Sequence, residues 1–271
     1  MKVSGFTPAE LDKFKEYQRA SYAVLEGVAA SLREGETEKD VTRRLRKHFH
    51  EQGVHHYFHV PVALFGTRTA YPGAFGQLEA LPTDQKLERG MPVILDAAPI
   101  YHGYTVDTSY ATSFGENALV RELKAALKPL RELILARVNE RKTFRAIARE
   151  VDDEIRKLGY ENCHKKHIAF VLGHRVTQVP DTWLHRRRIW GLGVPQAWYF
   201  ISRTVGAAHG RDSPNWNHTR RSDHPPAPGL WAVEPHLGKD GVGAKFEEIL
   251  VITESEAWYL DEGGLPHHRH G

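Results

Sequence analysis

In VILDAAPIYHGYTVDTSY, residues 93 to 110, an aspartate stands inside an apolar, strand-like run, and a second follows eleven residues later in another β-prone run. The two runs flank His102-Gly103, a turn signal, so Asp96 and Asp107 read as one carboxylate from each arm of a hairpin. Two further segments share the peculiarity. GLWAVEPHLG sets Glu234 in an apolar strand, and AKFEEILVIT sets Glu247 and Glu248 directly before another. A carboxylate aimed at the interior must find a cationic partner or stay protonated. Any fold for this chain therefore has to supply partners for several such groups at once. FVLGHRV adds one histidine, His174, at the end of its own apolar run.

The rest of the chain narrows the class. With 271 residues, 41% of them apolar and 26% charged, it has ample length to bury a core as one large domain. A formal charge of +3 is too small to argue for nucleic acid. Cys163 is the only cysteine, which excludes an intrachain disulfide and makes a reducing, cytoplasmic setting the expectation. MKVSGFTPAELDKF lacks the apolar core of a signal peptide, and no apolar run approaches the length of a membrane span.

Helix signals are plain. Thr7-Pro8-Ala9-Glu10 is a capping box with proline in the first turn, and Leu11, Phe14, Tyr22, Leu25, Val28 and Leu32 follow at helical spacing. A second helix opens at Thr37 and stops at Gly53, and two more are predicted over 117–138 and 143–158. Residues 54–66 read as a strand or strand pair, and 82–90 as a loop. TEKDVTRRLRKHFHEQG, from Thr37, echoes TFRAIAREVDDEIRKLG, from Thr143: Val41, Leu45 and Phe49 match Ile147, Val151 and Ile155. A short apolar strand follows each, ALFGT in one case and FVLGH in the other. Such an echo fits a duplicated α+β unit with a site between its halves. Residues 181–228 carry Trp183, Trp190, Trp198 and Trp216 with Arg186, Arg187 and Arg188, and read as a loop-rich insertion packed by tryptophan. The histidines of the tail, 263–271, are taken as incidental, which leaves 1–262 as a single domain.

Taken singly, each carboxylate reads as a salt bridge or a strand-end group. Together, two aspartates, one or two glutamates and a histidine, all on strands, match the oxygen-rich shell of a dinuclear divalent-metal site. The order PTDQKLERGMPVILDAAPIYHGYTVDTSYATSFGE, LGH, PGLWAVEP, AKFEEILVIT also resembles a known family, over about residues 10 to 260. It is similar to the pita-bread metallopeptidases: methionine aminopeptidase, Xaa-Pro aminopeptidase, prolidase and the metal-free creatinase. The resemblance implies a divergent member with an α+β fold, two pseudo-symmetric halves around a curved antiparallel sheet. It also implies that Asp96 chelates one metal ion, that Asp107 and Glu247 bridge two, and that His174 and Glu234 complete the second. Glu234 would be general base toward a metal-bridging water that attacks an amide carbonyl. The cofactor expected is two divalent ions, Mn, Fe, Co or Zn.

The chain departs from the family pattern where the family places two histidines that bind substrate: Gly73 and Asp181 stand there instead. His56, Tyr57 and His59, on the strand after the second helix, and His185 and His209, in the insertion, are the substrate-pocket candidates that could substitute. Strand alternation puts Tyr57 and His59 on one face. The expected activity is hydrolysis at a peptide N-terminus or an Xaa-Pro bond. The alternative is the same fold acting on a small non-peptide molecule, by hydrolysis or oxidation. A binding module has no evident need for five intact ligands. A peptide or small-molecule substrate is expected, with no nucleic-acid or membrane partner, and a homodimer is left open.

Overall fold

In the computed structural model the described residues are 3–73, 79–167, 170–179 and 213–269, with the backbone of 188–189 and 192–193. Thr7 and Glu10 cap α1 (Pro8–Ala30) reciprocally, and Thr37 and Asp40 do the same for α2 (Glu38–Glu51). After α2 the chain reverses through Gly53 in the left-handed region, φ 80°. It continues as β1 (His56–Tyr57), β2 (Val62–Phe65), β3 (Pro92–Ala97), β4 (Pro99–Tyr101), β5 (Tyr104–Thr105) and β6 (Thr108–Ser113). Then come α3 (Ala118–Asn139), capped by Asn117, and α4 (Phe144–Lys157), capped by Thr143. The remaining strands are β7 (Glu161–Asn162), β8 (Gly173–Val176), β9 (Arg188–Ile189), β10 (Leu192–Gly193), β11 (Asn215–Trp216), β12 (Gly229–Val233), β13 (His236–Lys239), β14 (Val242–Lys245), β15 (Glu248–Ile252) and β16 (Ala257–Tyr259).

One plan occurs twice. Two helices lead into an antiparallel meander, β2–β3–β6 in the first half and β8–β12–β15 in the second. In each meander the long hairpin is broken, so that its far end pairs separately, as β4 with β5 and as β13 with β14. The halves touch through bridges at Tyr110–Phe246 and Tyr104–Gln178, and Val179 N–H donates to Gly103 O at 2.7 Å.

The breaks correct one expectation. Asp96 lies in β3, near its end, and His174 in β8, but Asp107, Glu234 and Glu247 stand just outside strands. The reason is packing. Alternate strand residues feed two apolar layers: Val93, Leu95 and Ala97 join the cluster of α1 and α2, while Ile94 joins that of α3 and α4. A carboxylate in mid-strand would land in one layer or the other. At a break it can aim between the halves.

Two polar clamps hold the layers in register. Buried Glu38 accepts from Phe65 N (2.8 Å), Arg68 Nε (2.9 Å) and Thr83 N and Oγ1 (2.8 and 2.7 Å), tying α2 to β2 and to the 82–90 loop. Glu248, equally buried, pairs with Arg131 of α3 and meets the tail at His268 Nε2 (3.0 Å) and His267 Nε2 (3.4 Å). No helix among the described residues is long and apolar enough to cross a membrane.

Burial alone would raise the Glu248 carboxyl; His267, His268 and Arg131 outweigh it and hold it at about 2, against an ordinary 4.5. Its contribution to stability is therefore complete above pH 4.5 and lost as pH falls toward 2. Wild type should lose about 3 kcal/mol across that window that Glu248→Gln does not lose. Urea unfolding of both proteins at stepped pH measures it, and parallel acid limbs would refute the clamp.

Candidate metal centre

The breaks of both halves deliver their carboxylates to one buried pocket. Asp96 and Asp107 come from the first hairpin, Glu234 and Glu247 from the second, and none is more than 9% exposed. Helix α1 fixes the approach through polar groups on its inner face. Gln18 Oε1 accepts from Ile249 N at 2.7 Å, Tyr22 Oη accepts from Glu247 N at 3.2 Å, and Ser21 Oγ lies 2.6 Å from Thr108 Oγ1. One helix thus holds the residue after Asp107 and the main chain at and just after Glu247.

Asp107 is the hub. Its Oδ2 lies 3.1 Å from His174 Nε2 and its Oδ1 3.1 Å from His59 Nε2, which is also 3.4 Å from Asp96 Oδ1. His174 is centred in its sheet, opposite Ala232 of β12 and Asn215 of β11, and its ring stacks on Phe58 at 5.4 Å. Among the described residues, donor atoms of His59, Asp96 and Asp107 lie within 4.8 Å of one another, and so do those of Asp107, His174 and Glu247.

Lys245, at the end of β14, is the residue that the sequence reading passed over. Its Nζ is buried and lies 2.9 Å from Asp96 Oδ2, 3.0 Å from Glu234 Oε2 and 3.5 Å from Glu247 Oε2. Two signals point to it: four inward carboxylates call for a cation, and Lys245 stands two residues before Glu247, on the same side of an extended chain.

The charges arrange themselves accordingly. Burial would lower Lys245, but Asp96 and Glu247 raise it well above its ordinary value. Burial would raise Asp107, yet His59 and His174 hold it far below the usual carboxylate range. Burial would also lower His59, and Asp107 and Asp96 lift it to about 9. Glu247 goes the other way: burial and the charge of Asp107 push it well above its ordinary value. Asp96 Oδ1 and Glu247 Oε2 are buried and have no hydrogen bond among the described residues. Such acceptors suit a divalent cation. The residues present therefore fit the metal expected of them.

The other candidates separate. Tyr57 turns from the carboxylates to pack on Phe49, ring centroids 6.0 Å apart, and His56 pairs across from Ile100 in β1. The expected alternation fails because β1 stops at Tyr57, and His59 follows a different course into the site. His185, His209 and Asp181 lie outside the described residues. Gly73, at φ 69°, has no described residue within 4 Å of where a side chain would begin. A neutral wall completes the pocket edge, with His236 Nε2 2.7 Å from Thr69 O and its ring 4.4 Å from Tyr71, edge on. Burial pushes His236 well down and Tyr71 up. The tail histidines form a third acidic group with Glu248, whose oxygens Arg131 already occupies.

A family model described as metallopeptidase family M24 matches residues 12–254. The fold is shared with an X-Pro aminopeptidase from Thermotoga maritima, at TM-score 0.64 and 21% identity over 96% of this chain and 62% of that one. It is shared also with a prolidase from Pyrococcus furiosus, at TM-score 0.62 and 17% identity over 94% and 64%. Among curated proteins, an uncharacterized peptidase of Staphylococcus saprophyticus is 24% identical over 167 residues, 61% of this chain and 45% of that one. The chain thus spans less than half of that relative and under two thirds of the two solved structures. These similarities make the architecture the pita-bread fold.

If Lys245 balances the carboxylates, Lys245→Met should destabilise the metal-free protein by about 3–5 kcal/mol, the cost of stranding buried charge. Added Mn²⁺ should then raise the melting temperature of the variant more than that of wild type. Thermal unfolding with and without chelator measures both, and equal metal-free stability would remove Lys245 from this role.

Proposed function

The chain belongs to metallopeptidase family M24, and from that premise we propose that it is a dinuclear metal-dependent hydrolase of peptide amide bonds, at a free N-terminus or an Xaa-Pro bond. The observation that carries this reading is the convergence of Asp96, Asp107, His174, Glu234 and Glu247 at one buried place, with an acceptor oxygen on Asp96 and on Glu247 that makes no hydrogen bond among the described residues. Asp96, Asp107 and Glu247 would hold one cation, and Asp107, His174, Glu234 and Glu247 the other, Mn, Fe, Co or Zn being compatible with the donors. When bound, the pair would supply Lewis acidity to the scissile carbonyl and lower the pKa of a water molecule.

The chain's own residues do the rest. Glu234 is the general base. Burial would raise its carboxyl, but Lys245 and His174 lower it below its ordinary value, so it is ionised at neutral pH and can take the proton of the attacking water. The same carboxyl can return that proton to the departing amine. Lys245 orients Glu234 through Oε2 and Asp96 through Oδ2 and keeps them from swinging apart. Low exposure of all four carboxylates excludes bulk water, which strengthens each of these interactions.

Gly73 favours a second reading. The family resemblance places a substrate-binding histidine there, and this chain has no side chain at that position. The same centre would then serve a small non-peptide substrate.

Turnover of a panel of peptides with free N-termini and Xaa-Pro bonds, by protein loaded separately with each of the four metals, decides between them. Cleavage that requires metal and falls ~100-fold or more in Asp107→Asn is the expected result. Absence of cleavage by protein carrying two ions would sink the peptidase reading and favour the second.

A further inference from the structure

His59 answers more of the site's geometry than a substrate-pocket residue would. The side chains of Asp96 and Asp107 each split their two oxygens. Asp96 gives Oδ2 to Lys245 at 2.9 Å and turns Oδ1 toward His59, while Asp107 gives one oxygen to His59 and one to His174, both at 3.1 Å. With Oδ2 engaged by an ammonium group, Asp96 offers a cation a single oxygen on this side. That side is therefore short of a donor, and His59 Nε2 stands where the donor is missing.

The two histidines are tethered alike. Nδ1 of His59 lies 3.1 Å from the carbonyl oxygen of Val60, and Nδ1 of His174 lies 3.5 Å from that of Arg175, in each case the next residue along the chain. An N–H on Nδ1 directed at a main-chain carbonyl leaves Nε2, which faces Asp107 in both cases, as the nitrogen that would take a metal, the arrangement usual for ligating imidazoles. Donor atoms around a cation at about 2.0–2.2 Å stand roughly 3 Å apart, the separation that His59 Nε2 already keeps from Asp107.

We propose that His59 is a ligand of the centre, so that each half of the fold contributes two carboxylates and one imidazole and each cation has a histidine of its own: His59 with Asp96, Asp107 and Glu247, His174 with Asp107, Glu234 and Glu247. This rests on the dinuclear reading above and deepens it. His59 then leaves the set of residues that would contact substrate.

Calorimetric titration of metal-free protein with Mn²⁺, and the absorption spectrum of the Co²⁺-loaded protein, test it without reference to turnover. Wild type should bind two ions. His59→Ala should weaken one site at least ~10-fold, leave the other unchanged and alter the Co²⁺ bands, and added imidazole should restore them. Two sites of wild-type affinity with an unaltered spectrum in His59→Ala would overturn the ligand role alone. A wild type that binds no ion would overturn the dinuclear reading with it. Proton resonance of Co²⁺-loaded wild type needs no variant: two shifted, exchangeable imidazole N–H signals support the proposal, and one refutes it.

Discussion

Four carboxylates drawn out of water repel one another unless cations separate them, and the architecture of this chain follows from meeting that demand. Lys245 takes the space between Asp96, Glu234 and Glu247, and His59 and His174 flank Asp107. Because these groups come from both halves, the balance of charge is also what draws the halves together. The apolar layers then have to close around a polar middle. They do so by breaking each hairpin at the point where its carboxylate leaves the sheet, and by lending α1 a polar inner face of Gln18, Ser21 and Tyr22.

The repeated plan makes the economy of the site visible. Asp96 and Asp107 flank the first broken hairpin as Glu234 and Glu247 flank the second. A single structural device, used twice, yields four converging acids. What differs between the two acids of the second hairpin is what sets the chemistry: Lys245 and His174 lower Glu234 below its ordinary value, whereas burial and Asp107 push Glu247 well above its own. Two glutamates at the end of one strand pair are thereby shifted in opposite directions by their surroundings.

Much of this was legible in the amino-acid order. Capping residues at Thr7, Thr37 and Thr143 marked three helix starts because caps act locally, within one turn. The acids declared themselves by standing in apolar company. Lys245 stayed hidden because a lone lysine is by default a solvated one, and only the convergence of three separate segments shows otherwise. The course of His59 was hidden for a related reason. Alternation can be read along a strand, but β1 ends at Tyr57, and beyond it the direction of a side chain depends on tertiary contacts. Strand edges beside a site are where such local rules give way.

Glu247 and Glu248 are consecutive, and consecutive residues of an extended chain face opposite ways. A slip of one position along β12 would still offer the pocket a glutamate, so the site alone discriminates weakly against that error. Discrimination comes from the far side. Only the observed register lets Glu248 meet Arg131 and the tail histidines, and a slip would strand that arginine in the interior. The clamp remote from the chemistry thus acts as a proofreading contact for strand pairing, selecting which of two identical side chains the centre receives.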